Sequence, residues 1–334
     1  MSEPEKRKIA FVFPGQATHY AGMGKEIAKT YKEAADFYER ANDLTGVDIA
    51  KLCFEGPEEQ LVLTENSQPC IHTTSLAILQ VLKKYGFKSD VTAGYSLGQY
   101  SALVNAGSLK YEESVNVVKD RGRFMQTAVP QGVGKMVALL GMELAKVEQL
   151  VKDCEHAGHI EISNYSCPGE YIISGHVASM DLAQKLALER GGKAIFIPVS
   201  APFHTKLLVP AAVNLLEELD KMDIKNPQIP YVDNVSGDYF VPEKDSVKLF
   251  LMVHVYKPVK WEQSMQAMLA QGVNTFIELG SRNFLTKVNK RCAIAAGKED
   301  ETICLNVRDV ESLENMMRVM ENPALYDKNI KAKY

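Results

Sequence analysis

The sequence predicts an α/β protein in which helices cover a mostly parallel sheet and a small ferredoxin-like β-α-β-β-α-β unit is inserted. Short apolar runs alternate with helical patterns up to Pro130. The order of predicted elements changes after Pro130, and the alternation of strands and helices resumes after Val199. The length of 334 residues corresponds to about two domains, or to one large domain with an insertion. We expect residues 1–128 and 199–334 to form the large domain and residues 129–198 the small one.

In the first part of the chain, apolar runs that end in glycine turns predict strands, and apolar residues at helical spacing predict helices. The predicted elements are a strand at Ile9–Phe13, helices at Gly24–Asn42 and Gln68–Tyr85, a strand at Val91–Ala93, and helices at Gln99–Ala106 and Tyr111–Ala128. This alternation favours parallel pairing, because a helical crossover lets the next strand run in the same direction.

The small unit follows in the order strand, helix, strand, strand, helix, strand. Its predicted elements are Lys135–Leu140, Glu143–Cys154, Ile160–Asn164, Tyr171–Ser174, Val177–Arg190 and Ala194–Ile197. The large unit then resumes with a helix, a strand, two helices and a strand, at Leu207–Met222, Ile229–Asp233, Lys244–Val255, Glu262–Gln271 and Asn274–Leu279. No element is assigned after Leu279.

Composition excludes several classes of protein. Apolar residues make up 46% of the chain and charged residues 24%, which is typical of globular proteins. No apolar run is long enough to span a membrane, and the net charge of −4 argues against general nucleic-acid binding. The six cysteines form no Cys-x-x-Cys pair, so neither a zinc site nor a disulfide framework is indicated. Since the charged N-terminus does not fit a signal peptide, we expect a reduced, cytoplasmic protein.

The strongest local motif is Gly94-Tyr95-Ser96-Leu97-Gly98, a G-x-S-x-G pattern between a predicted strand and a predicted helix. Glycines suit this turn because a Cβ would clash where the backbone doubles back. The turn presents the Ser96 hydroxyl at a helix N-terminus, where N–H groups such as that of Leu97 stabilise an oxyanion. A glycine turn with a capping serine is the alternative, but the position between strand and helix favours a nucleophile.

A nucleophilic serine needs a base, and the chain has seven histidines. His72 and His254 lie in helical stretches, where packing is sufficient to explain them. His204 lies in an irregular segment that follows an apolar strand, at the edge where α/β sheets place their sites. Spacing alone therefore gives His204 only a modest lead.

An arginine could hold a substrate carboxylate through two parallel hydrogen bonds. Arg121 and Arg123 lie in one predicted helix, and most helical arginines are simply solvated. Composition and spacing do not choose between them.

Together, Ser96, Arg121 and His204 resemble the malonyl-CoA:acyl carrier protein transacylase family, which includes the acyltransferase domains of polyketide synthases. The resemblance extends from about Ile9 to Arg291. Its motifs are Phe13-Pro14-Gly15-Gln16, Gly22-Met23-Gly24, Thr64-Glu65-Asn66-Ser67-Gln68-Pro69, Gly94-Tyr95-Ser96-Leu97-Gly98, Arg121-Gly122 with Met125-Gln126, Asn164 with Pro168-Gly169, Ile173-Ser174-Gly175, Pro202-Phe203-His204 and Pro258-Val259-Lys260-Trp261. Each is weak alone, and the series in this order is highly specific.

The resemblance implies a hydrolase-like α/β core with a ferredoxin-like insertion, in agreement with the order of elements. It implies that Ser96 is the nucleophile and His204 the base. It also implies that Arg121, and not Arg123, binds the malonyl carboxylate.

Further roles follow from the same resemblance. Gln16 and Leu97 would donate backbone N–H groups to the oxyanion, and the backbone carbonyl of Lys260 would orient the base. Asn164 matches a residue that lines the acyl pocket. Phe203 is the bulky residue that in this family crowds an α-methyl branch, so malonyl is expected to be preferred over methylmalonyl.

Several positions depart from the family pattern. Tyr95, which borders the pocket, stands where malonyl enzymes usually carry histidine, and Gln99 replaces a usual glutamate. Ala17, His19 and Ser281-Arg282-Asn283 also differ from the common pattern. Because the catalytic set is intact, these departures concern the choice of acyl group more than activity.

The implied activity is a ping-pong transfer of malonyl from malonyl-CoA, through a malonyl-serine ester, to the phosphopantetheine thiol of an acyl carrier protein. We expect no cofactor and no metal. The expected partners are acyl carrier protein and malonyl-CoA, with no nucleic acid and no membrane, and the expected state is a cytoplasmic monomer. The sequence does not decide between fatty-acid and polyketide biosynthesis.

Two other functions compete with this one. An acyl hydrolase on the same scaffold would need Ser96 and His204 but would gain nothing from Arg121. A non-catalytic protein that docks carriers would not need the complete catalytic set. A common lipase or esterase is disfavoured, because no acidic residue stands out between the serine and the histidine.

Overall fold

The computed structural model describes residues 7–130, 132–199, 201–242 and 244–326, so residues 1–6 and 327–334 of the predicted large unit lie outside it. The strands are β1 Ile9–Phe13, β2 Val91–Gly94, β3 Gly134–Leu140, β4 Ile160–Cys167, β5 Glu170–His176, β6 Lys193–Ile197, β7 Tyr231–Val232, β8 Val259–Lys260, β9 Thr275–Leu279 and β10 Ile303–Val307. The helices are α1 Lys25–Thr30, α2 Lys32–Thr45, α3 Ile49–Glu55, α4 Glu58–Leu61, α5 Thr64–Lys84, α6 Gly98–Asn105, α7 Tyr111–Thr127, α8 Leu144–Cys154, α9 Val177–Glu189, α10 Val209–Leu219, α11 Val247–Val253, α12 Trp261–Ala270, α13 Phe284–Ala295 and α14 Val310–Glu321.

The first sheet has the strand order β10-β9-β1-β2-β7, and its strands pair in parallel. Alternate residues of the central strand β1 pack into two apolar clusters on opposite faces of the sheet. Phe11 and Phe13 belong to one cluster, and Ala10 and Val12 belong to the other. Both faces are therefore buried, as parallel sheets require. The predicted α/β class with a mostly parallel sheet is confirmed.

The second sheet has the order β6-β3-β5-β4-β8. Its first four strands pair antiparallel, and α8 and α9 pack against them around a separate apolar cluster. Strand β8 comes from beyond the predicted insertion and pairs in parallel with β4. Because this pairing joins the two predicted domains, the domain boundaries at 129 and 198 stay a prediction.

Some elements differ from the expectation. The helix predicted over Gly24–Asn42 is two helices, because Tyr31 between α1 and α2 is extended, with φ −121° and ψ 116°. The sequence assigned no element to α3 or α4, nor to the segment after Leu279, which contains α13, β10 and α14. Strand β10 is a short, partly polar run at the outer edge, and such a run carries little periodic signal.

None of the described helices combines the length and the apolar character that crossing a membrane requires.

Candidate active site

The G-x-S-x-G motif forms a sharp turn between β2 and α6. Ser96 has a left-handed backbone conformation with φ 51°, which is uncommon for a non-glycine residue. A Cβ on Gly94 would lie 1.9 Å from the backbone carbon of Gly98, and one on Gly98 would lie 2.0 Å from the carbonyl oxygen of Phe13. Both glycines are therefore required by the close approach of the backbone, and the turn exposes the serine side chain at the carboxyl end of β2.

His204 lies beside this turn. Its Nε2 atom is 2.8 Å from the Ser96 Oγ, and its side chain is only 3% exposed. Its Nδ1 atom is 2.8 Å from the carbonyl oxygen of His254 and 3.1 Å from that of Lys257. Since carbonyl oxygens only accept hydrogen bonds, Nδ1 carries the proton and Nε2 is free to accept the serine proton.

The prediction that the Lys260 carbonyl orients the base is wrong. That carbonyl accepts a hydrogen bond from the Ser264 hydroxyl at 2.9 Å, because Lys260 immediately precedes α12 and its carbonyl points along that helix. The orienting carbonyls belong to His254 and Lys257, on the segment between α11 and β8. Sequence spacing identified the right stretch of chain but not the carbonyl groups that face the imidazole.

Arg121, on α7, reaches the same site. Its side chain is 1% exposed, donates to the Gln68 Oε1 at 2.7 Å and lies 3.3 Å from the Ser96 Oγ. No acidic side chain among the described residues pairs with it. Arg123, by contrast, forms a surface ion pair with Asp120 at 2.8 Å. The buried cation that lacks an acidic partner is therefore Arg121, which is suited to an incoming carboxylate.

Three of the predicted pocket residues form one wall. The Asn164 amide donates to the Tyr95 hydroxyl at 2.9 Å, and that hydroxyl lies 2.9 Å from the Ser166 Oγ. Phe203, immediately before the base, also lines the cavity. The wall joins the nucleophile turn to β4 of the second sheet, so its position depends on both sheets.

The predicted oxyanion donors lie next to the serine. Leu97 is the N-cap residue of α6, and Gln16 lines the cavity. Within the described ranges, neither of these two backbone N–H groups meets an acceptor. The Ser96 N–H, in contrast, donates to the Asn234 Oδ1 at 2.8 Å. The Leu97 N–H at the start of α6 and the Gln16 N–H in the loop after β1 are therefore the groups that could stabilise a developing negative charge.

These groups open into a cavity of about 440 Å³. Ser96 and His204 lie on its large-sheet side, and Ala138 and Ile172 of the second sheet line the other side. Arg282, Lys287 and Arg308 also line it, which makes part of its wall basic. A volume of this size admits an extended acyl thioester.

The electrostatics suit a general base. Burial, helped by the positive charge of Arg121, lowers the pKa of His204 to about 4, while the two carbonyl acceptors oppose the shift. The imidazole is therefore neutral at pH 7 and able to accept a proton. No cluster of metal-ligating side chains occurs among the described residues.

Four residues that hold the site are not predicted from the sequence. Gln68 holds Arg121, Asn234 holds the Ser96 N–H, and the backbone carbonyls of His254 and Lys257 hold His204. The helical spacing around His254 indicates only packing, because the contact is made by its carbonyl and not by its ring. Gln68 stands in one of the motifs of the resemblance, and no spacing rule points to the other three.

The chain is similar to known proteins over most of its length. A family model described as "Acyl transferase domain" matches residues 10–325. A Bacillus subtilis (strain 168) protein named malonyl CoA-acyl carrier protein transacylase is 42% identical over 310 residues, covering 91% of this chain and 98% of that protein. A protein of the same name from Escherichia coli (strain K12) is 36% identical over 286 residues, covering 85% and 92%. The crystal structure of malonyl CoA-acyl carrier protein transacylase from Clostridium perfringens has a TM-score of 0.89 at 38% identity and covers 95% and 98%.

Proposed function

Because the chain belongs to the acyl transferase domain family, we propose that it transfers malonyl groups from malonyl-CoA to an acyl carrier protein. It is an acyltransferase, and the carrier-bound malonyl unit it makes serves fatty-acid biosynthesis. The observation that carries the proposal is the hydrogen bond between Ser96 and His204 beside Arg121, which is buried and has no acidic partner among the described residues.

In the first half-reaction, the malonyl carboxylate binds Arg121 and the thioester carbonyl lies over Ser96. The serine proton passes to the His204 Nε2 as Oγ bonds to the carbonyl carbon. The C–S bond of the tetrahedral intermediate then breaks, and the coenzyme A sulfur takes the proton from His204. A malonyl-serine ester remains on the protein.

In the second half-reaction, the phosphopantetheine thiol of the carrier enters the emptied cavity. His204 takes the thiol proton as sulfur attacks the ester carbonyl, and it returns that proton to the Ser96 Oγ as the ester bond breaks. A thioester has been exchanged for another thioester, so the overall reaction is close to balanced and reversible.

The charge on Arg121 also links binding to catalysis. In the free protein burial is the main cause that lowers the pKa of His204, and this charge lowers it further. A bound malonyl carboxylate neutralises it, so the pKa of His204 rises in the complex and the imidazole becomes a stronger base when the correct substrate is present. An acetyl group has no carboxylate and would leave the guanidinium unpaired.

The oxyanion of each tetrahedral intermediate is assigned to the backbone N–H groups of Leu97 and Gln16. Both are without an acceptor within the described residues, and both lie beside the nucleophile. Losing one such donor typically raises the barrier by about 2.7–4 kcal/mol.

The wall formed by Tyr95, Asn164 and Phe203 is assigned to the choice of acyl group. The hydrogen bonds of Tyr95 and Asn164 hold their side chains in place, and the bulk of Phe203 next to the base disfavours an α-methyl branch. We therefore expect malonyl to be transferred faster than methylmalonyl.

Several broader features remain part of the proposal. The protein is proposed to act in the cytoplasm, which is consistent with its six free, buried cysteines. It is proposed to work as a monomer and without a cofactor beyond the pantetheine carried by its substrates. Residues 129–198 are proposed to be a small domain that closes one side of the cavity.

The test is intact-mass measurement after incubation with malonyl-CoA, followed by addition of a phosphopantetheine-bearing carrier protein. We expect one malonyl group on Ser96, which then moves to the carrier. Loss of the adduct to water, with no carrier product, would indicate the hydrolase instead. Absence of any adduct would indicate the non-catalytic docking protein and refute the proposal.

A further inference from the structure

Gln99 occupies the first turn of α6, three residues after the serine, and is completely buried. Its Nε2 atom lies 2.5 Å from the Nδ1 atom of His254. Its Oε1 atom accepts hydrogen bonds from the Tyr231 hydroxyl at 2.5 Å and from the Asn234 N–H at 3.1 Å. It contributes nothing to the lining of the cavity, so substrate does not touch it.

Two of these contacts lead directly to the reacting groups. Asn234, held by its N–H, uses its own Oδ1 to accept the Ser96 N–H at 2.8 Å. His254, held by its ring, uses its carbonyl to accept the His204 Nδ1–H at 2.8 Å. One amide thus contacts both the residue that holds the nucleophile turn and the residue that holds the base.

We propose that Gln99 is a positioning residue that sets the separation and orientation of Ser96 and His204. The two reacting groups lie 108 residues apart in the chain, on segments that share no strand or helix. Their alignment therefore depends on contacts between those segments, and Gln99 bridges them. The inference rests on the proposed function, since it assigns Gln99 to the reaction that Ser96 and His204 perform.

The neutral amide also determines the charge of this network. Because the Gln99 Nε2–H donates to His254, the Nδ1 atom of that ring must be unprotonated and the ring neutral. Among the described residues, the titratable and charged groups that face this pair are Arg121, His204 and Tyr231, and Asp233 and Tyr100 lie near Tyr231. With a glutamine at position 99, the charge that shifts the pKa of His204 among the described residues is that of Arg121.

Two variants and a control test the proposal. Gln99→Met keeps the volume and removes all three hydrogen bonds, while Gln99→Glu keeps both acceptor contacts and adds a negative charge. The control is Ser101→Ala, which removes a buried hydrogen bond from the same helix, to His72, without touching Asn234 or His254. Each full-length protein is assayed for malonyl-enzyme formation from malonyl-CoA over a range of pH, and for its unfolding midpoint.

We expect Gln99→Met to lower kcat on the order of tenfold to a hundredfold with little change in KM, because misaligned reacting groups slow the chemical step while Arg121 still binds substrate. Ser101→Ala should be less stable than wild type but equally fast. Gln99→Glu should fold and react, but its activity should fall off at a higher pH on the acid side. The added negative charge stabilises the imidazolium form of His204, which cannot accept the serine proton.

Equal kcat values for Gln99→Met, Ser101→Ala and wild type would overturn the proposal and leave Gln99 a structural residue. If Gln99→Met does not fold, Gln99→Glu decides the question, and an acid limb that coincides with that of wild type would overturn it. The measurement on the wild-type protein distinguishes failure of the proposed function from failure of the role proposed for Gln99. No adduct on wild type means that the proposed function fails, whereas a normal wild-type adduct with unaffected variants means that only the role of Gln99 fails.

Discussion

Two buried serine–histidine clusters in this chain look alike in local geometry. In one, the His204 Nε2 lies 2.8 Å from the Ser96 Oγ, and in the other the ring nitrogens of His72 lie 2.8 and 2.9 Å from the hydroxyls of Ser101 and Ser114. Burial lowers the pKa of His72 to about 3 and is the main cause that lowers that of His204 to about 4. A short serine–histidine hydrogen bond, even with a lowered histidine pKa, therefore does not by itself identify an active site.

The surroundings separate the two clusters. Ser96 and His204 line a cavity and have positive φ values of 51° and 59°, while His72 has no exposed surface and lies within helix α5. Left-handed backbone at a non-glycine residue costs on the order of 1–3 kcal/mol and is found where function requires it. Both ring nitrogens of His72 form hydrogen bonds with hydroxyls. The Nδ1–H of His204 instead donates to backbone carbonyls, which leaves Nε2 to accept the Ser96 proton.

A third difference is charge. Arg121 lies within hydrogen-bond reach of Ser96 and has no acidic partner among the described residues, while only hydroxyl groups contact the ring nitrogens of His72. What makes one cluster a site is the combination of access, a set tautomer and an unmatched cation. Substitutions in the Ser96–His204 cluster and at the cation should therefore affect the reaction, whereas substitutions in the His72 cluster should affect only stability.

The largest effect is expected for Ser96→Ala compared with Ser101→Ala. The first removes the nucleophile, so malonyl-enzyme formation should fall roughly 10⁴- to 10⁶-fold. The second should leave the rate close to wild type. Intact mass after incubation with malonyl-CoA measures both, and a malonyl adduct that persists in Ser96→Ala would show that another residue is the nucleophile.

The histidines should separate rate from stability. His204→Ala should lower the rate of acylation by about 10⁴-fold because the serine loses its base. His72→Ala should leave the rate unchanged but lower the free energy of unfolding by about 1–3 kcal/mol for the unsatisfied hydroxyls, with a further loss from the cavity. Urea unfolding and single-turnover kinetics measure the two effects. A fast His204→Ala variant would contradict the assignment of the base.

Arginine substitutions test the role of the unmatched cation. Arg121→Met should lower kcat/KM for malonyl-CoA about tenfold to 150-fold, which corresponds to the loss of a charge-assisted hydrogen bond. Its preference for malonyl-CoA over acetyl-CoA should shrink for the same reason. Arg123→Met, which removes only an exposed ion pair, is the matched control and should behave as wild type. Equal discrimination in both variants would rule out the carboxylate clamp.

The smallest effect concerns pH. Because His204 must be neutral to act as a base, kcat/KM should stay high to well below pH 6.5 and fall as the pH drops through its pKa of about 4. Arg121→Met removes a positive charge that lowers this pKa, so the acid limb should move to higher pH in that variant. The kcat/KM profile of malonyl-CoA against pH measures both limbs, and an unmoved limb would mean that burial alone sets the pKa.

Much of the site was predictable because its signals are local. The turn around Ser96 depends on two glycines within five residues of sequence, and the close backbone approach at both confirms why no other residue fits there. The alternation of strands and helices predicted the parallel sheet in the same way, since the apolar pattern of each short segment indicates that the segment is buried. The sequence also narrowed the cation to one of two arginines and favoured His204 as the base.

Tertiary structure decided the remainder, because those choices depend on contacts between distant segments. The spacing of the two arginines does not choose between them, and the packing of α7 against α5 shows that Arg121, which the resemblance implies, is the one that faces the serine. Only the path of the chain after α11 shows that His254 and Lys257 orient the base in place of Lys260. The roles of Asn234 and Gln99 likewise come from hydrogen bonds that span well over a hundred residues. The local backbone conformation of a residue depends mainly on its neighbours along the chain. Its hydrogen-bond partners depend on the three-dimensional path that brings separate segments together.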